Sequence, residues 1–300
     1  MKQLFKYATR LKGYRNLWLG LYSVKAILAL AVAVPVFLSS NSVLSSSQLS
    51  RQLINSWDIS VLVQLVLQKG DAIGLFIAMI ISIIILYLLI MQFVNGGLYF
   101  IIVSGRKLSE AGKDFFAECG ARFLGHLKVT LLIILVYMML LFSGMFIVNM
   151  FGVFGRDLIG FPALVFMFGK LIIIFLILMA ASIFSDSARA AIAVEPEKPF
   201  KEILKLAGDF FRPRFTRLIG IYIITYLPFI VIWLLIEYLA LMTIGSIGGL
   251  IGIFLEFLFF QIVSMARTGQ KLWYLFYLGG EFRNFHEGRF VPRQSELNLE

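Results

Sequence analysis

The chain has 300 residues, 60% of them hydrophobic and only 15% charged, with a mean hydropathy of +0.91 and a net charge of +10. So apolar a composition excludes a soluble domain of this length. The basic residues gather between apolar runs, the pattern of a membrane protein's cytoplasmic side, so no nucleic-acid partner is expected.

The first fifteen residues carry five basic residues and no acid, with Leu4, Phe5, Ala8, Leu11, Tyr14 and Trp18 at helical spacing on one side. This predicts a surface-lying helix, about 2–15, that runs into a first span at about 17–38, long enough to cross roughly 30 Å of hydrocarbon. A basic start before an apolar run is also the pattern of a cleaved signal peptide, with Ala31-Val32-Ala33 as a small-residue site. The length of the run and its amphipathic lead-in favour a retained span. Residues 39–70 are Ser-rich and then amphipathic, with Leu49, Leu53, Trp57, Val61 and Leu65 four apart, and read as an outer-surface segment.

The second span is predicted at about 73–94 with an extension to Val103. A connector at about 104–126 follows, in which Leu108, Ala111, Phe115, Cys119, Phe123 and Leu127 form an apolar stripe with Lys and Arg opposite. The third span covers about 127–151, a short loop holds Arg156 and Asp157, and the fourth runs over about 163–185. A further amphipathic connector at about 196–215 leads into the fifth span, about 216–242, with Pro228 as a kink. The sixth covers about 248–273. The expected architecture is all-α: a single polytopic membrane bundle of six transmembrane helices, arranged as three hairpin-like units with amphipathic cytoplasmic connectors.

Charge sets the expected orientation. The N-terminus, the two connectors and the C-terminal end carry 5, 5, 7 and 5 basic residues, whereas the opposite loops share only Arg51, Lys69 and Arg156. Both termini are therefore expected on the cytoplasmic side of a bacterial inner membrane. The basic connectors form an inner cuff suited to anionic lipid headgroups, at about 1 kcal/mol per Lys or Arg, or to a cytoplasmic protein partner.

An internal repeat is suggested by Arg122-Phe123 and Arg214-Phe215, 92 residues apart, and by the span ends Ala188-Arg189 and Ala266-Arg267. Any membrane hairpin with a basic connector shares part of this likeness. Within the spans, Lys170, Glu237 and Glu256 fall six to nine residues from the presumed outer ends and share a depth. Charges in hydrocarbon pair, neutralise or line a wet cavity, so these three form a candidate buried polar layer. Glycines at Gly245, Gly248, Gly249 and Gly252 suit close helix packing beside Glu256. Arg189 and Arg267 close their spans on the cytoplasmic side, and Ser182 and Asp186 share the helical face of Arg189. The two arginines are candidate headgroup or anion contacts, with interface anchoring as the bland alternative.

Catalytic signatures such as G-x-S-x-G, H-E-x-x-H, a Walker loop, G-x-G-x-x-G and C-x-x-C are missing, so no catalytic residue is nominated and no enzyme expected. One cysteine and two histidines provide neither a cysteine-rich metal centre nor a full histidine set; no metal and no cofactor are expected.

The three hairpins, the span ends SARAAIAVE and SMARTGQKLW, and the connector pattern F-x-x-x-x-x-A-x-x-F-F resemble a broad group of poorly characterised bacterial membrane proteins. That group is related to the membrane domain attached to some glycerophosphodiester phosphodiesterases. The resemblance covers most of the chain and rests on pattern. It implies a membrane module near lipid or envelope metabolism; the soluble phosphodiesterase domain with its acidic metal site has no counterpart in these residues, so no active-site residue carries over. Two functions are expected: a non-enzymatic inner-membrane module, lipid-associated or accessory to a complex, or a small secondary transporter or channel using the Lys/Glu layer.

Overall fold

The computed structural model describes residues 14–44, 70–105, 108–154, 161–247 and 249–290. The surface helix expected at 2–15, most of the outer segment, the Arg156 loop and the C-terminal run to Arg293 lie outside them. Among the described residues the secondary structure is helical, with no strand: α1 (Arg15–Leu44), α2 (Gly70–Ser104), α3 (Leu108–Phe154), α4 (Phe161–Val194), α5 (Phe200–Phe211), a 3-10 turn (Arg212–Arg214), α6 (Phe215–Ile247) and α7 (Gly249–Phe290). Among the described residues four stretches are long and apolar enough to cross a membrane: Ile77–Ser104, Asp114–Ser143, Ile172–Val194 and a span within Phe200–Met242. Helices are what a bilayer demands, since each backbone N–H and C=O finds its partner inside its own segment.

Proline punctuates the chain where helices stop. Residue Glu195 precedes Pro196, a position that disfavours helical geometry, and α4 closes at Val194. Pro199 caps α5 with extended backbone, and Glu202 sits in its first turn, where its negative charge suits the helix dipole. Pro213 sets the 3-10 turn that swings the chain into α6.

The chain divides into two compact units, Leu19–Met91 and the remainder. In the smaller unit, Ile77, Ile81, Ile84, Ile85, Leu86 and Leu89 of α2 are exposed, as lipid-facing residues are. The larger unit has two zones. Its outer zone exposes apolar side chains, among them Leu131, Leu135 and Phe142 of α3, Ile172 and Ile173 of α4, Leu227, Leu234 and Leu241 of α6 and Phe257 and Ile262 of α7. Its inner zone is tightly buried, with Ile183, Ala190, Leu218, Leu272, Leu278 and Phe282 all under 2% exposed. Leaving leucine and isoleucine exposed is costly in water and costless in lipid, so the boundary between zones marks where protein packing takes over from bilayer contact.

Two elements differ from expectation in instructive ways. The connector at 104–126 is no separate surface helix but the first turns of α3, which continue without a break into the third span. Its buried face carries Cys119, Arg122, His126, Val129, Thr130 and Ile133, whereas Phe116 and Leu124 are exposed. The face turned into the protein is thus rotated from the apolar stripe, and Arg122, expected on the outer side, is 7% exposed. The α5 connector does bury an apolar stripe, Ile203, Leu206, Ala207 and Phe210. Phe210 packs on Phe282 at 4.9 Å and Phe285 at 5.5 Å of α7, so this stripe is filled by protein, with Lys198, Lys201 and Lys205 left outward.

Candidate functional site

The inner zone of the larger unit is polar at its centre. Asp186, 1% exposed on α4, accepts from the Tyr99 hydroxyl of α2 at 2.7 Å and pairs with the Lys271 ammonium of α7 at 2.5 Å. One turn along α4, Arg189 lies 3.6 Å from the same carboxylate and donates to Thr130 Oγ1 of α3 at 2.9 Å. Three helices thus meet on one carboxylate, and α3 joins them through Arg189. A buried aspartate is tolerable only with charged partners and hydrogen bonds, and here it has both.

The site continues along α3, where Arg122, His126 and Thr130 stand on successive turns of one face. Arg122 donates to the Ala193 carbonyl of α4 at 3.3 Å and ion-pairs with Glu118. Because Arg122 registers with Ala193 and Thr130 with Arg189, His126 is level with the turn between them. Its ring lies 5.5 Å from that of Tyr99, it is fully buried, and neither of its nitrogens has a hydrogen-bond partner among the described residues. The Nε atoms of Arg122 and Arg189 and the Tyr274 hydroxyl share that condition. Burial, then the Asp186 carboxylate, holds the Tyr274 phenol well above the ordinary tyrosine range, so it stays a protonated donor.

Toward the outer zone the cluster opens. Tyr137 of α3 and Tyr222 of α6 approach the Ser182 hydroxyl, and Tyr222 stacks on Tyr226 at 5.2 Å. Arg267, exposed on α7 one turn before Lys271, holds its guanidinium 6.0 Å from the Tyr226 ring and 5.9 Å from Phe229. No carboxylate among the described residues pairs with it. Along the α6–α7 seam, Thr225, Pro228, Phe229, Gly269, Gln270 and Trp273 line an apolar cleft.

The two arginines chosen from the sequence therefore differ. Arg189 is engaged by Asp186 and Thr130 inside the protein, while Arg267 is outward and has no carboxylate among the described residues. Of the expected Lys/Glu layer, Glu237 is half-buried on α6; the side chains of Lys170 and Glu256 lie outside the described residues. Sequence reasoning noted the shared face of Ser182, Asp186 and Arg189. It missed Tyr99, His126 and Lys271, which come from other helices, and the one available signal was that Lys271 follows Arg267 by one turn.

No protein-family model, curated protein or solved structure matches the chain.

Proposed function

We propose that the chain is a non-enzymatic module of the bacterial inner membrane, with six spans, both termini cytoplasmic, and a basic site at the inner ends of its helices that holds the phosphate of an anionic lipid headgroup. The observation that carries this reading is the charge arrangement at Asp186. Arg189 and Lys271 share its single carboxylate, and Arg267 stands one turn outward with aromatic rings beneath its guanidinium and no acid among the described residues to neutralise it. A guanidinium flanked by aromatic side chains at a lipid boundary suits a phosphate oxygen pair above and acyl chains below. The outward lysines of the α5 segment add surface attraction for the same leaflet. The resemblance to phosphodiesterase-linked membrane domains is in keeping with work near lipid.

Native mass spectrometry of the purified chain after exchange into mixed anionic and zwitterionic phospholipid tests this. Anionic lipid should be retained preferentially, and Arg267→Gln should reduce that retention severalfold while leaving the fold intact. Equal retention of both lipid classes, or retention indifferent to Arg267, overturns the reading. A small transporter or channel is the second reading, supported by the hydrogen-bonding atoms left unpaired inside the bundle at His126 and its neighbours.

A further inference from the structure

Arg122 and His126 have no role in the headgroup reading, and the row they form with Arg189 is unusual for the interior of a helical bundle. Three nitrogens that are donors by nature, Arg122 Nε, Arg189 Nε and one nitrogen of His126, are buried without an acceptor among the described residues, and the second imidazole nitrogen is equally unpaired. Each such group carries a desolvation penalty that a native fold does not leave unmet without a bound species. The charge count leans the same way. Arg122, Arg189 and Lys271 are three cations, and the carboxylates that pair with them, Glu118 and Asp186, are two. One positive charge is therefore in excess; Lys271 is about a third exposed, whereas Arg122 and Arg189 stand beside the fully buried His126.

We propose that this row binds one small monovalent inorganic anion of the halide class, held by the His126 N–H and the Arg122 and Arg189 guanidinium edges between α3 and α4. Several features select that class. Three of the four unpaired nitrogens are donors and two of them belong to guanidiniums, which repel a metal cation. The excess is a single charge, which one monovalent anion cancels. The helices also approach closely here, since a Cβ on Gly125, next to His126, would lie 3.2 Å from Ile192 of α4, and close approach favours a single-atom ion over a phosphate or carboxylate. Neutral water would satisfy the hydrogen bonds and leave the charge uncancelled.

The test is thermal unfolding of the full chain in detergent, titrated with sodium chloride or bromide against sodium gluconate at constant ionic strength. Saturable stabilisation by halide and none by gluconate is expected, as for any ligand that binds the native state alone. His126→Asn should raise the half-saturating halide concentration about tenfold or more, the loss of one good hydrogen bond. Arg267→Gln should leave it unchanged, which separates this site from the headgroup site. Should His126→Asn fail to fold, anomalous scattering from crystals of the unaltered protein grown in bromide decides, with a peak between His126, Arg122 and Arg189 expected. Absence of saturable halide stabilisation, a midpoint indifferent to His126→Asn, or a bromide peak elsewhere overturns the proposal.

Discussion

Lys271 and Asp186 meet at 2.5 Å although 85 residues separate them in the chain, and this contact ties the last long helix to the fourth within the buried zone of the larger unit. The carboxylate is 2% exposed and the ammonium 34%, so the two ends of the pair are not equivalent. Asp186 depends on its partners; Lys271 retains water.

That asymmetry sets the first prediction. Asp186→Asn leaves Arg189 buried without its counter-charge and should cost about 3 to 5 kcal/mol. Lys271→Met should cost less, since Arg189 and Tyr99 remain on the carboxylate. Combining the two should lose less than the sum of the single losses, because the second change removes a charge that the first has stranded. Thermal unfolding in detergent measures all three. Strictly additive losses would show that the contact contributes nothing of its own.

The second prediction concerns helix approach. An added Cβ on Gly97 would lie 2.6 Å from the Phe115 ring and 2.7 Å from Cys119 Sγ, and one on Gly279 would lie 2.5 Å from Ile102. Gly97→Ala and Gly279→Ala should each destabilise by about 1 to 3 kcal/mol through overpacking. Gly120→Ala on α3 meets nothing within 4 Å and should instead stabilise slightly, by the roughly 1 kcal/mol that separates alanine from glycine in a helix. Equal behaviour of the three would mean that α2 does not approach α3 and α7 so closely.

What the sequence disclosed and what it withheld divide along a physical line. Four spans were legible because a bilayer requires long unbroken apolar runs, and α5 was legible because Ile203, Leu206 and Phe210 repeat at helical spacing between prolines. The rotation of α3 was not. Hydrophobic periodicity assigns Arg122 outward, and the structure turns it inward, where Glu118 and the Ala193 carbonyl engage its two terminal nitrogens. Arg189 and Asp186 could be paired along one helix face; Tyr99 and Lys271 could not, since their meeting depends on which helices are neighbours. The layer of Lys170, Glu237 and Glu256 drew attention because mid-span charges are conspicuous. The Asp186 cluster lies at span ends, where charges are commonplace.

Orientation supplies the third prediction. Cys119, the chain's only thiol, is 0% exposed and should resist thiol reagents from either side of the membrane while the protein stays folded. Lys205→Cys places a thiol on the exposed face of α5. A membrane-impermeant maleimide should leave it unmodified in intact cells and label it rapidly in inside-out vesicles. Labelling from outside would invert the proposed topology, and with it the leaflet assigned to Arg267.

The last prediction concerns pH and the clamp that joins the end of α4 to α7. Glu195 accepts from or pairs with His286 Nε2 at 2.8 Å across 91 residues and also pairs with Lys198. Burial alone would raise the Glu195 carboxyl, but hydrogen bonds and charge from Lys198 and His286 outweigh it and hold the group below its ordinary 4.5. A carboxyl depressed in the folded state adds stability that is fully present above the unfolded value and disappears as the pH falls through the folded one. The unaltered protein should therefore unfold at a higher temperature than Glu195→Gln near neutrality, and the gap should begin to close below pH 4.5. His286→Gln should reproduce part of the neutral-pH loss, and combining it with Glu195→Gln should add little. A gap between the proteins that stays constant down to about pH 3.5 would mean that ionisation of Glu195 does not hold the clamp.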